Sequence, residues 1–156
     1  MGIIRVYADT SVIGGVFDEE FKVPTQKFFD QVKSGQFALV TSAIVQDEIA
    51  LAPTEVRNFF DEMLGFSDVA EVSDHVLELR DAYLYSRIVS QKYSDDALHV
   101  AVATVSGCSL IVSWNFKHIV HFQKIPLYNA INAIQGYPQI AIFSPLEVIR
   151  YEDEEI

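Results

Sequence analysis

Short runs of mostly apolar, β-branched residues, Ile3 to Ala8, Phe37 to Thr41 and Ser109 to Ser113, are each followed by a helical pattern. A strand with apolar residues on both faces must be covered on both, and strands of this kind separated by helices form a parallel sheet between helical layers. The pattern predicts an α/β domain, a three-layer α/β/α sandwich with a mainly parallel central sheet. A short extended piece at 68–72 and a last strand at 140–143 complete it. Ligands of such sheets bind at the carboxyl ends of the strands, so polar residues just beyond a strand are the first candidates for a site.

Helix punctuation is frequent. A helix starts at Thr10 to Ile13, with Gly14 and Gly15 as a break, and another over 24–34 is closed by Gly35. Ser42 is an N-cap for a helix reaching Ala52, Pro53 sets a boundary, and the next helix runs to Leu64. Further helices are expected over 73–90, over 95–106 with Ser94 as cap, over 116–122 and 127–135, and briefly up to Arg150. With 156 residues the chain reads as one domain, 1–150, followed by an acidic tail, 151–156.

Half the residues are apolar and 21% are charged, which excludes intrinsic disorder. No apolar stretch approaches the ~18 residues of a membrane span, and the start turns polar at Asp9 before a signal-peptide core can form. Val6 stands where myristoylation needs Ser or Thr. The lone Cys108 permits no internal disulfide, which fits a cytoplasmic protein, and leaves oxygen and imidazole as the metal ligands. Eleven Lys and Arg against 22 Asp and Glu give a net charge of −11, which opposes non-specific nucleic-acid binding over the whole surface. The distribution is uneven: residues 1–96 hold 17 acids and 8 bases, whereas 97–146 hold no acid, Lys117, Lys124 and three of the four histidines. One part of the surface is therefore suited to phosphate.

Four polar residues stand out. Asp9 directly follows the first strand; its simplest role is a helix cap, and the alternative is a carboxylate aimed over the sheet edge. On the helix after Ser42, an advance of about 100° per residue places Ile44, Val45, Ile49, Leu51 and Ala52 on one arc, with Glu48 near its middle and Asp47 at its edge. An acid there must be paired, by an Arg in the simplest case, or bind a cation. The same projection turns Asp96 toward Val100 and Ala103, and places Asp95 with His99 and Ser106. Favourable interaction with the helix N-terminus explains Asp95 but not the inward direction of Asp96. Asn115 lies beyond the third strand on the same rim as Asp9, as an N-cap or a site residue, and Lys117 and His118 beside it are phosphate candidates. Other chemistries lack their parts. His118 and His121 have zinc spacing without the Glu of HExxH, there is no GxGxxG, GxxxxGK[ST] or GxSxG, and Ser11 stands where a DxD phosphatase needs Asp.

In order and spacing, Val6-Tyr7-Ala8-Asp9-Thr10-Ser11-Val12, Thr41-Ser42 with Glu48, Asp96-Ala97-Leu98-His99-Val100-Ala101 and Ser113-Trp114-Asn115-Phe116-Lys117-His118-Ile119 resemble the PIN-domain ribonucleases, particularly VapC-type toxins of toxin–antitoxin pairs. The resemblance implies an acidic pocket of Asp9, Glu48 and Asp96 binding Mg2+ or Mn2+, with Thr10 or Ser11 and Ser113 in support. Asn115 falls where many members carry a further Asp, and an amide there weakens the hold on a second ion. It also implies divalent-metal-dependent hydrolysis of RNA, a small antitoxin protein as partner, and a homodimer. The competing readings are a PIN-like domain that binds RNA or a protein without cutting, and an unrelated acidic phosphotransfer or metal-binding α/β domain.

Overall fold

A computed structural model describes residues 2–151 of the chain; the acidic run of the tail, residues 152–155, lies outside the described residues. The strand β1 (Ile4–Ala8) is central because Val6, Tyr7 and Ala8 have no polar face to offer water, and all three are buried. It pairs in parallel with β2 (Phe37–Ser42) on one side and β4 (Leu110–Val112) on the other, with Val6 opposite both Leu39 and Leu110. The outer strands β3 (Ser67–Ala70) and β5 (Ala141–Phe143) are short and partly exposed, which leaves little bare edge for another chain to pair with. The sheet is all parallel, in the order β3-β2-β1-β4-β5.

Two groups of helices cover its faces. In one, α1 (Thr10–Gly15) packs on α2 (Lys22–Lys33), α3 (Ala43–Ile49) and α4 (Thr54–Leu64), and α8 (Pro145–Val148) packs on α2. In the other, α5 (Asp74–Tyr85) packs on α6 (Ser94–Val105) and α7 (Ile125–Ile134). Every residue of α6 from Ala97 to Thr104 is buried, so this helix is enclosed all round and has no solvent face over that length.

Local stereochemistry shifts several expected boundaries. The helix after Ser42 ends at Ile49 rather than Ala52, because Pro53 disfavours the helical region for its predecessor; Leu51, assigned to the apolar arc, is 91% exposed. Helix α5 stops at Tyr85, where Arg87 takes a left-handed conformation (φ 60°). The Arg87 and Ile88 amides then return to the carbonyls of Leu84 and Tyr83, the pairing that closes many helices on glycine and that a non-glycine residue conceals. Gly35 (φ 85°) closes α2 in the same way. A 3-10 turn, Gln91–Tyr93, leads into α6, so Ser94 is the first helical residue and not its cap. The expected helix over 116–122 is a single turn: the Asn115 carbonyl takes the amides of both Ile119 and Val120, and the next ladder starts only at His121.

Trp114, just past β4, is fixed by its stacking on Phe21 (4.2 Å between centroids) and by its indole N–H, which donates to the buried Thr25 hydroxyl at 2.9 Å. Both contacts depend on Gly15, where a Cβ would stand 2.8 Å from the indole nitrogen and 2.9 Å from the Thr25 hydroxyl. Gly15→Ala is expected to destabilise the protein by about 1–3 kcal/mol through overpacking. Gly14→Ala, with open space around its Cβ, should stabilise it by about 0.4–1 kcal/mol. Urea unfolding midpoints of the two variants check this, and equal midpoints would show that Trp114 yields freely.

Candidate active site

The order of the sheet reverses between β1 and β4: the chain proceeds outward from β1 through β2 and β3, then returns to β4 on its other side. A crevice opens at the carboxyl ends of strands at such a point. The residues that follow these two strands, Asp9 and Ser113, stand there, and the Asp9 amide donates to the Val112 carbonyl at 3.3 Å. Asp9 is 3% exposed. One of its oxygens accepts from the Ser11 hydroxyl at 2.5 Å and the Val12 amide at 3.3 Å, and the other from the Ser113 hydroxyl at 2.5 Å. It is at once the N-cap of α1 and an inward-facing acid. Ser113 also accepts the Asn115 amide and Ser11 the Trp114 amide, so the two loops are joined through the hydroxyls that hold the carboxylate. Burial pushes the Asp9 carboxyl above its ordinary value, against the opposing effects of the His99 charge and these hydrogen bonds.

Glu48 is held from two sides at one oxygen, by the Thr10 hydroxyl at 2.7 Å and His99 Nε2 at 2.7 Å. Thr10 therefore supports Glu48, while Ser11 supports Asp9. The partner of Glu48 is a histidine from α6 and not the arginine of the simplest alternative. His99 is 3% exposed, and its Nδ1 lies 2.7 Å from the Tyr7 hydroxyl, which in turn lies 2.8 Å from the Ser42 hydroxyl. Burial alone would lower the His99 pKa; the Glu48 hydrogen bond and the charges of Asp9, Glu48 and Asp96 raise it overall. Burial alone would raise Glu48, and its bonds to His99 and Thr10 lower it overall. The two shifts both favour the ionised pair, in which His99 would donate from both nitrogens and the Tyr7 hydroxyl would donate to Ser42.

Asp95 is exposed and Asp96 half-buried, as the helical projection placed them. Burial raises the Asp96 carboxyl, opposed by the Asn115 amide, His118 and His99, while Glu48 adds to the rise. The Asn115 amide is used at both ends: its oxygen accepts the His118 backbone N–H at 2.9 Å, and the group stabilises ionised Asp96. His118 lies against Tyr93, with ring centroids 3.9 Å apart and planes at 30°. Neither of its ring nitrogens has a hydrogen-bond partner among the described residues.

Asp9, Glu48, Asp96 and Asn115 thus form one electrostatically coupled group at the switch point, supported by Thr10, Ser11 and Ser113, with Lys117 and His118 at its edge. As the side chains stand, no three His, Cys, Asp or Glu residues among the described ones are arranged to hold a metal ion. His99, Tyr7 and Ser42 complete the group and were not singled out from the sequence. The projection put His99 on the outer side with Asp95, yet α6 has no outer side there, and His99 is also three residues, one turn, beyond Asp96. An open cavity lies elsewhere, among Lys27, Asp30, Gln31, Ser34, Gln36 and Arg150, and contains none of these residues.

Comparison with known proteins supports the architecture. No family model matches the chain, and no curated protein matches its sequence. Among solved structures, VapBC2 from Rickettsia felis bound to a DNA fragment from their promoter aligns with a TM-score of 0.59 at 13% identity, over 89% of this chain and 97% of that one. FitAcB from Neisseria gonorrhoeae aligns at 0.56 and 15% identity, over 92% and 99%. FitAB bound to the IR36 DNA fragment aligns at 0.56 and 13% identity, over 94% and 99%. At these identities the likeness is one of fold, and the fold is that of a PIN domain.

Because folding raises the Asp9 pKa, the native chain binds a proton more tightly than the unfolded chain. The contribution of Asp9 to stability is full below the unfolded value and is lost as pH rises through the folded one. Asp9→Asn never ionises. It should melt above the wild type at pH 7.5, with the difference shrinking as pH falls into the ordinary carboxylate range. A lower melting temperature for the variant at pH 7.5 would mean that the three hydrogen bonds to the carboxylate outweigh its burial.

Proposed function

We propose that the chain is a divalent-metal-dependent endoribonuclease that hydrolyses RNA phosphodiester bonds, acting in the cytoplasm as the toxin of a toxin–antitoxin pair. The observation that carries this reading is the group at the switch point. Asp9 and Asp96 are both pushed toward protonation there, chiefly by burial, which the hydrogen bonds and the His99 charge around them offset only in part. A divalent cation is the ligand that reverses such a shift. All the side chains offered are oxygen donors, the set that suits Mg2+ or Mn2+. Asp9, Glu48 and Asp96 would hold the ion, directly or through water, and Asn115 would position water or substrate. When bound, the ion supplies a lowered pKa for water and positive charge opposite the phosphodiester.

The chain's own residues supply placement. Ser11 and Ser113 hold both oxygens of Asp9, which leaves the carboxylate little freedom to turn. Thr10 and His99 share one oxygen of Glu48, and its second oxygen is free to orient an incoming water. The Asn115 amide favours the ionised form of Asp96 and offsets part of the effect of its burial. The fold adds its own support: VapBC2 and FitAB, which share it, were each solved on DNA as complexes, in keeping with a partner antitoxin for this chain; assembly as a homodimer is part of the same proposal. Among the described residues no helix is long and apolar enough to cross a membrane.

One observation favours a second reading. His99 already places a cationic group against Glu48, which the sequence did not lead us to expect, and it meets part of the electrostatic demand that a metal would meet. A PIN-like domain that binds RNA or a protein without cleaving it fits that arrangement. The two readings separate in an assay of the purified protein on single-stranded RNA with EDTA and Mn2+ arms. The nuclease reading expects Mn2+-dependent cleavage that falls by at least ~100-fold in Asp96→Ala and by no more than a few-fold in Asp95→Ala. It also expects Mn2+ to raise the melting temperature of the wild type but not of Asp96→Ala. Absence of cleavage in both arms would leave the binding reading.

A further inference from the structure

The chain carries twice as many acids as bases, and several of its bases are engaged. Arg5 pairs with Asp68 at 2.9 Å, Lys22 with Glu19 at 3.3 Å, Lys33 with Glu62 at 3.2 Å and Arg80 with Asp81 at 2.9 Å. Lys124 donates to the Ile88 carbonyl. Lys92 and Lys117 are exposed and, like Lys27, Arg57, Arg87 and Arg150, have no acid within ion-pairing distance among the described residues; what sets these two apart is the aromatic ring they share. They come from segments distant in sequence, one from the turn before α6 and the other from the loop after β4, yet each ammonium lies 5.6 Å from the centre of the Tyr93 ring. That ring is held in turn by His118, whose pKa is lowered by burial and by the charges of Lys117, Lys124 and His121, while nearby Asp96 opposes the fall.

A pair of cations held together without an acid repels, and on a chain of net charge −11 acids were abundantly available to neutralise it. The Tyr93 ring attracts each ammonium only weakly at an exposed position. A bound polyanion is the partner that would satisfy both.

We propose that Lys92 and Lys117, gathered on Tyr93 beside Asp96, form a phosphate-binding subsite for the single-stranded RNA backbone that approaches the acidic group. The subsite rests on the ribonuclease reading and gives it a direction: the strand meets the rim formed by the turn before α6 and the loop after β4. Its counterpart across the crevice, α1 and α3, carries no such pair. Neither lysine is paired with a carboxylate of α6, so both attract phosphate while Asp9, Glu48 and Asp96 repel it. The subsite thus offsets the charge that would otherwise turn the substrate away.

The test is binding of a fluorescently labelled single-stranded RNA in EDTA, where nothing is cut, followed by anisotropy over a range of NaCl concentrations. For Lys92→Gln/Lys117→Gln, affinity at low salt should fall at least ~10-fold. The slope of log affinity against log salt should flatten by about 1.4, at about 0.7 for each phosphate of a single strand that is no longer neutralised. Tyr93→Leu, which keeps both charges and removes their platform, should weaken binding with less change in slope. Melting temperatures confirm that these surface variants are folded. Unchanged affinity and slope would overturn the subsite even if Asp96-dependent cleavage is observed. Lysine-dependent binding without Mn2+-dependent cleavage would keep the subsite and remove the nuclease reading. A polyglutamate chain of equal charge that binds as well as the RNA would overturn the nucleic-acid assignment in favour of an acidic protein segment.

Discussion

The buried Asp9 carboxylate is the joint of this molecule. An isolated carboxylate at that depth is costly, and here the cost is offset in part by three donors that come from different parts of the chain: Ser11 and Val12 from the start of α1, and Ser113 from the end of β4. Because Ser11 and Ser113 also receive the amides of Trp114 and Asn115, the loop after β4 cannot move without disturbing the acid. The position of Trp114 follows, and with it the packing of α1 and α2 around Gly15 and Thr25. A parallel sheet brings the carboxyl ends of β1 and β4 side by side by topology alone; the hydroxyl pair turns that adjacency into a fixed geometry.

The charge balance of the site is asymmetric. Glu48 has an imidazolium against it and lies below its ordinary pKa, whereas Asp9 and Asp96, at greater distance from that cation, are raised. A single buried histidine thus satisfies one acid of three. Its own position is fixed by Tyr7, whose phenol is held neutral by burial and bonded to Ser42, the N-cap of α3. The helix that carries Glu48 and the histidine that pairs with it are therefore tied to the same strand residue. Replacing that histidine would alter the placement of Glu48 as well as its charge, and the two effects would be hard to separate by activity alone.

Much of this was legible because it rests on local rules. Continuous apolar runs identified strands buried on both faces, Gly35 and Pro53 marked true boundaries, and helical periodicity separated Asp96 from Asp95. Glu48 stood out as a polar residue on an apolar arc, even though Leu51, one member of that arc, proved exposed beyond the end of the helix. What stayed hidden depends on contacts between distant segments. His99 looks ordinary on a helix until α6 is seen to be enclosed on every side. Arg87 in a left-handed turn violates the glycine preference from which helix ends are read, and buried Ile88 after it shows what the packing gains by the exception. The segment after Asn115 has helical composition, yet its first carbonyl accepts two amides and the turn closes at once.

The division of charge along the chain has the same origin as the division of the fold. Residues 97–146 contain α6 from Ala97 onward, β4, α7 and β5, and β4 and α6 from Ala97 to Thr104 are so thoroughly enclosed that an acid in them would need a buried partner. The acids are accordingly displaced to the helices and edge strand of the first two thirds of the chain, where lysine and arginine partners are available in exposed ion pairs of small individual effect. Burial requirements alone would then leave the rim after β4 neutral. It is cationic instead, at the one place where the acid-free segment reaches solvent beside the acidic group. A surface arranged in this way attracts phosphate along one edge and repels it at the centre, and the two tendencies are reconciled when a divalent cation occupies the centre. Under the proposed function, the strong negative charge of the chain and its recognition of a polyanion are therefore compatible, because they act at different positions of one crevice.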